Sequence, residues 1–384
     1  MGNVKVFRSS DYGAPVLFGN AGYLIPVLDA CLVTGYGELT ISSITHSNGV
    51  VTVVTSTAHN LGPYGRQTIS GITNDTAYNG DVIIQPVDGF TFTYSKGGIT
   101  QATGTGATMR TKSTSVGWTK DYSGTNLAAY RQAGGNRHYL RVDDTTTLSV
   151  RVVGYETMSG ISTGTGLFPT AAQFSGGLYM QKSQTADATN PRDWILVADD
   201  ETFYLHVNWN SYLNNTMDSP VLAFGNIQSD RPGDAFHTII VANVSAAIAG
   251  FRFSYLANNV QTADTGSYLA RSYTQIGSST PSARISDTSK SNSQSNMGAS
   301  QGLPYPHPVN GGLYMTPVWV TESLSPLANS VIRGTLKGIW NPLHNRPLAH
   351  SDIFLGNGVL SGKVFMAWNV QLNGQVMIDI SPTW

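Results

Sequence analysis

Two pairs of adjacent aspartates, Asp143-Asp144 and Asp199-Asp200, are the residues whose type and spacing come nearest to chemistry. Two carboxylates facing each other across a sugar can hydrolyse its glycosidic bond, one as acid and the other as nucleophile or base. Each pair also sits between two runs of alternating apolar residues, where aspartate commonly makes a turn by bonding its own backbone. The turn accounts for both pairs without an enzyme and is the preferred reading. The sequence leaves open that the two pairs face each other.

Other candidate groups are dispersed. The eight histidines do not gather, and His344 and His350 bracket Asn345-Arg346-Pro347, which breaks any helix that would present both. Neither H-E-x-x-H nor a zinc-type Cys/His spacing occurs. His59 reads as a turn cap, and His206, on the polar side of a strand, as a surface or interface residue. The single cysteine, Cys31, lies in the apolar run Val27 to Val33 and reads as a small buried hydrophobe. There is no nucleophile elbow and no phosphate-binding loop. Arg137 and Arg141 are too few for a nucleic-acid surface. Trp209, Tyr212, Trp319 and Trp340 suit sugar stacking, but Trp and Tyr serve cores and protein interfaces equally well. The core comes first in this reading, an interface second and a glycan platform third. No catalytic residue, metal ligand or cofactor is assigned, and the chain reads as a non-enzyme.

The elements that position these residues are strands. Tyr139 to Val142 runs into the first aspartate pair, after which Leu148, Val150 and Val152 alternate with polar residues. Trp194 to Val197 runs into the second, after which Phe203, Leu205, Val207 and Trp209 alternate. Period-two alternation places one set of side chains in a core. These two ladders are the expected heart of a sheet.

Composition fits that picture. The 384 residues include 41 glycines, and only 12% are charged, for a net charge of -1. Such a balance suits a turn-rich β protein, and also a surface covered by other subunits. It gives no field for nucleic acid or an anionic membrane. No apolar run is long enough to span a bilayer, and the N-terminus lacks a leader pattern, so synthesis in a cytoplasm is expected.

Residues 1–36 read as a lead-in, and 1–37 together with 112–275 read as one discontinuous main β body. Val16 to Phe18 reads as a short strand, and Leu24 to Val33 as a strand or one to two helical turns, since Pro26 opposes a long helix. Residues 38–111 read as a compact unit of short strands, with turns at Asn48-Gly49, Asn79-Gly80 and Asp88-Gly89. Residues 112–275 return to the main body. There Thr125 to Gln132 suggests a short helix, Val221 to Phe224 a strand, His237 to Ala249 a strand then a turn or helix, and Phe251, Phe253 and Tyr255 another strand. Residues 276–302 hold little to bury and read as a flexible loop or an inter-subunit arm. Residues 303–384 read as a C-terminal β segment packed on the body. It contains a strand broken at Pro317, a strand from Val331 to Trp340, and a closing hairpin around Asn373-Gly374.

The order His59-Asn60-Leu61, Ile69-Ser70-Gly71, Tyr78-Asn79-Gly80 and Phe90 to Tyr94 resembles a small β-domain found in tailed-bacteriophage virion proteins. The flanks Ala30 to Gly37 and Gly117 to Asp144 resemble one continuous phage segment with that domain dropped between its halves. Gly35, Gly37 and Gly117 sit where a surface insertion is cheap. The resemblance implies an accessory module on a virion protein and carries over no catalytic residue.

The expected fold is therefore all-β: a sandwich or barrel-like main body, an inserted small β-domain and few short helices. The expected function is that of a structural subunit of a tailed-phage virion in the tail, baseplate or tail tip. A neck or head-surface decoration protein is one alternative, and a receptor- or glycan-binding tail protein is another. The expected partners are copies of itself in a ring or trimer and other virion proteins, with a host surface glycan as a further candidate. No nucleic acid or membrane insertion is expected, and the virion is the expected location.

Overall fold

A computed structural model describes residues 3–209, 221–246, 265–285, 303–322, 331–344, 347–370 and 374–384. The protein is all-β, with 51% of its residues in strands against 5% in helices. The two ladders read from the sequence lie at its centre. Tyr139–Asp143 pairs with Leu127–Arg131 on one side and with Ser149–Gly160 on the other. Trp194–Ala198 pairs with Thr202–Val207, which pairs in turn with Val221–Asn226.

Antiparallel pairing carries the sheet onward. Ser149–Gly160 also pairs with Leu178–Gln181, which touches Thr238–Asn243 through the pair Tyr179 and Asn243. Thr238–Asn243 lies between Val221–Asn226 and Thr265–Leu269. The sheet continues through Thr280–Ile285 and Met315–Glu322 to Val331–Pro342. It ends on the hairpin Val364–Val370 and Gly374–Asp379, with Ile353–Leu355 outermost. The result is a large sheet bent into a nearly closed barrel. Its core runs from Val4 to Ile380, and the chain ends meet where the Val4 amide donates to the Pro382 carbonyl at 3.0 Å.

Residues 36 to 113 form a second, seven-stranded sheet. Its spine is Tyr36–Ser47, which pairs through its first half with Arg110–Ser113 and through its second with Val50–Thr55. The register shifts between Ile41 and Ser43, so one strand bends from one half of a small barrel into the other. Ile41, Ile44, Val53, Ile69, Tyr78 and Phe92 belong to a hydrophobic core separate from that of the body.

Several local expectations meet a different outcome. Thr125 to Gln132 contains no helix: Leu127–Arg131 is a strand. Asn126 has φ +54° and turns the chain between Thr119–Gly124 and Leu127–Arg131, so its asparagine is a hairpin signal. Leu24 to Val33 is helical, as Leu24–Leu28 followed by a wider turn over Asp29–Thr34. Pro26 is tolerated in the first turn because no intrahelical acceptor awaits its missing N–H. The stretch read as a loop or arm is loop over residues 276–279 and then the strand Thr280–Ile285, and residues 286–302 lie outside the described residues. The strand expected at Phe251, Phe253 and Tyr255 also lies outside them.

Candidate functional site

The Asp199-Asp200 pair occupies the turn between Trp194–Ala198 and Thr202–Val207. One Asp199 carboxylate oxygen accepts the amides of Glu201 and Thr202 at 2.9 and 2.8 Å. The other accepts the Lys337 ammonium at 2.6 Å, and Lys337 also reaches Glu201 at 3.1 Å. Burial by itself would lower the pKa of Lys337, but the two carboxylates overcome it and hold the ammonium above its ordinary range. Trp118 Nε1 donates to the Asp199 carbonyl at 3.1 Å, closing the turn from beneath.

A polar network continues from this turn. Ala133 and Gly134 donate their amides to the Asp200 carbonyl. Gly135 has φ +57°, and a Cβ there would lie 1.9 Å from Asn226 Nδ2, so only glycine lets this loop close over Asn226. Asn226 Oδ1 accepts Gln132 Nε2 at 3.2 Å and Thr238 Oγ1 at 2.7 Å. His138 Nδ1 lies 2.8 Å from the same Thr238 hydroxyl. Burial, with His237 and Arg271 nearby, lowers the His138 pKa to about 4, so the ring is neutral.

The Asp143-Asp144 pair divides its labour. Asp143 Oδ1 accepts Thr145 N and Oγ1 at 3.3 and 2.6 Å, a local turn. Asp144 points inward, where its Oδ2 accepts the amides of Leu24 and Ile25 at 2.7 and 3.3 Å and caps the short helix. Its Oδ1 takes the Lys182 ammonium, which also donates to Asn20 O at 2.6 Å and Thr146 O at 2.8 Å. Three acceptors saturate the three donors of a lysine. Each aspartate pair thus has its own lysine and its own capping amides. The two lysines are the residues the sequence reading missed. Lys182 follows the apolar Leu178 to Met180 run, a weak signal that its stem is buried.

His59 Nδ1 accepts the Leu61 amide at 3.0 Å and so caps its turn. His206 overturns its expected surface placement: it is fully buried and stacks on Trp368 with ring centroids 5.3 Å apart. The polar side of its strand faces the C-terminal hairpin, not water. His344 Nε2 accepts the Tyr314 amide at 2.8 Å. Trp209 is buried, Trp340 packs edge-on against Phe365, and Trp319 is partly exposed. Tyr212 lies outside the described residues. Among the described residues, no group of three or more His, Cys, Asp or Glu side chains is placed to hold a metal ion. Cys31 is buried, and desolvation raises its thiol pKa well above the ordinary range.

The small barrel is fastened to the body by polar contacts. Arg66 Nε donates to Val4 O at 2.8 Å, and Arg66 Nη2 lies 3.5 Å from both Asn3 Oδ1 and Pro382 O. Arg8 Nη2 donates to Pro63 O at 2.9 Å, and the Tyr12 amide to His59 O at 3.0 Å. Asp11 accepts the Tyr36 hydroxyl at 3.0 Å and the Gly62 amide at 3.3 Å. An open depression of about 600 Å³ lies on the small barrel between Asp81–Ile83 and Thr93–Lys96. Lys96 reaches across its rim to the Asn79 carbonyl. No family model matches the chain, and no curated protein matches it.

Proposed function

We propose that the chain is a structural subunit of a tailed-phage virion, built into the tail, baseplate or tail tip, and that it works by packing against copies of itself and other virion proteins. The observation that carries this reading is how the candidate reactive groups are used. Asp144, Asp199, Lys182 and Lys337 are joined in buried ion pairs and capping bonds, and His59 and His344 accept backbone amides. Groups so engaged hold strands and turns in place. The fastened small barrel also supports it, because a module tied at Arg66, Arg8 and Asp11 offers a neighbour a fixed surface. The resemblance of residues 38–111 and their flanks to phage segments supplies the particle.

Imaging of intact particles at side-chain resolution tests the proposal. Copies of the chain in a symmetric ring or collar at the tail end are expected. Copies confined to the neck or head would move its place in the particle, and absence from the particle would end the proposal.

A further inference from the structure

Asparagine followed by glycine is the sequence most open to spontaneous cyclisation. The glycine nitrogen attacks the asparagine amide carbon, a C–N bond forms, and ammonia leaves. Water then opens the cyclic imide at either carbonyl, giving aspartate or isoaspartate, and this makes asparagine a thermolabile residue. The chain contains five such pairs, beginning at Asn48, Asn79, Asn310, Asn357 and Asn373. Asn373 lies outside the described residues. The fold holds the other four in different ways.

Asn79 and Asn310 have their side-chain amides tied down. Asn79 Oδ1 accepts the Ile72 amide at 3.1 Å, and its Nδ2 donates to Ile72 O at 2.9 Å. Asn310 Oδ1 accepts the Gly312 amide at 3.0 Å and lies 3.1 Å from His307 Nδ1, while its Nδ2 donates to the Tyr314 hydroxyl at 2.7 Å. Cyclisation has to break these bonds before the amide carbon can swing toward the glycine nitrogen. Asn48 is held by its backbone instead. It has φ +51° in a two-residue turn closed by the pair Ser47 and Val50, and Gly49 O accepts the Lys96 amide at 3.0 Å. That tight hairpin fixes the peptide that has to rotate.

Asn357 has neither restraint. It is exposed, and among the described residues its side-chain amide has no hydrogen-bond partner. Its backbone is extended, with φ −124° and ψ 170°, and leads into the single helical turn Gly358–Leu360. Gly358 has φ +57° with nothing within 4 Å of a Cβ position, so the flank of the attacking residue is open. One backbone bond at Asn357, from the Leu360 amide to its carbonyl at 3.0 Å, crosses the turn.

We propose that Asn357 is a site of spontaneous deamidation, converting to aspartate or isoaspartate on this exposed turn while Asn79 and Asn310 stay intact. The reaction consumes water, releases ammonia and needs no other reactant. It places a negative charge in the stretch from Ile353 to Leu360, which otherwise carries none, beside the fully exposed Val359. The modification belongs to the chain alone, so its failure and the failure of the particle reading are separate results.

The test incubates the purified full-length chain in mildly alkaline buffer made with heavy-oxygen water and follows the Asn-Gly peptides by mass spectrometry. Hydrolysis of the imide marks each product with the heavy isotope. Of the four described asparagines, Asn357 is expected to convert first. Breaking two side-chain bonds beforehand is expected to slow Asn79 and Asn310 by about tenfold or more. In urea, where the restraints of the fold are gone, the rates are expected to converge. Asn357→Gln, whose longer side chain closes the ring poorly, is expected to leave its peptide unlabelled, which excludes the nearby Asn341 and Asn345. Labelling that persists in Asn357→Gln, conversion of Asn357 no faster than that of Asn79 and Asn310, or the same ranking in urea as in the folded chain would each overturn the proposal.

Discussion

At the scale of single residues, the protein places ion pairs inside its core, and Arg333 has every one of its nitrogens engaged. Arg333 is fully buried; its Nε and Nη2 donate to Asp234 at 2.8 and 2.9 Å, and its Nη1 reaches Glu322 and the Arg271 carbonyl. A buried pair adds little over an apolar replacement, but removing one partner strands a charge at about 3–5 kcal/mol. Asp234→Ala is therefore expected to lower unfolding stability by roughly that amount, read as a shift in urea midpoint. Replacing the whole cluster, Asp234→Leu and Glu322→Leu with Arg333→Met, is expected to recover most of the loss. His138 gives a pH signature. Its folded pKa of about 4 lies below the ordinary histidine value of 6.5, so the unfolded chain binds its proton first as pH falls. Its contribution is complete above 6.5 and is lost between 6.5 and 4. A tenfold change in proton affinity is worth about 1.4 kcal/mol, so the loss amounts to at most roughly 3 kcal/mol. Urea unfolding across that range is expected to show a slope that flattens in His138→Gln; an unchanged slope would assign the acid sensitivity elsewhere. The aspartate turns were readable in sequence because an aspartate turn closes within two or three residues. Their lysines were not, since Lys182 lies 38 positions from Asp144 and Lys337 lies 138 from Asp199.

At the scale of elements, period-two alternation locates strands but does not say what covers each face. In Thr202–Val207 every residue is buried, the alternate face being taken by the C-terminal hairpin. Reading that face as polar is what misplaced His206. Asn126 shows the complementary error, where a helical spacing of apolar residues outweighed one turn residue. Glycine was the more faithful signal. Gly37 has φ +68°, and a Cβ there would stand 2.0 Å from the Tyr12 carbonyl oxygen. Across the contact, a Cβ on Gly13 would lie 2.6 Å from Gly37 Cα. The strand leaving the body for the small barrel passes against the lead-in loop with room for hydrogen only. Gly37→Ala adds both left-handed backbone strain and a clash with main chain, which together are expected to cost about 2–4 kcal/mol. Thermal unfolding reads the loss, and Gly49→Ala is the control. Gly49 has φ +78° with nothing near its Cβ, so it should show the backbone part alone.

At the scale of the whole molecule, two hydrophobic cores share one chain, and the crossing between them is narrow. Tyr36 pairs with Ser113 and Leu39 with Thr111, so the chain enters and leaves the small barrel side by side, about 5 Å apart. Gly35, Gly37 and Gly117, all with positive φ, stand beside this crossing. The pairing of Lys5–Arg8 with Ile195–Ala198, which seats the N-terminal strand in the body, left no local trace because nothing nearby in sequence encodes it. If the cores are independent, residues 38–111 can be cut out and the ends joined by two glycines. The remaining body is then expected to keep a cooperative melt. It should lose some stability, because the Val4 carbonyl loses the Arg66 guanidinium to water while Pro382 O keeps only the Val4 amide, and a hydrogen bond from a charged donor is worth about 1.5–3 kcal/mol. Expressed alone, residues 36–113 are expected to unfold in one cooperative transition, since Ile41, Ile44, Val53, Ile69 and Phe92 pack on one another without help from the body. Differential scanning calorimetry separates the outcomes. Two transitions in the excised pieces that reproduce the intact protein's heat would show two units docked by polar contacts. A body that fails to fold without the insert would show that the Arg66 and Asp11 contacts are needed to close the barrel around its N-terminal strand.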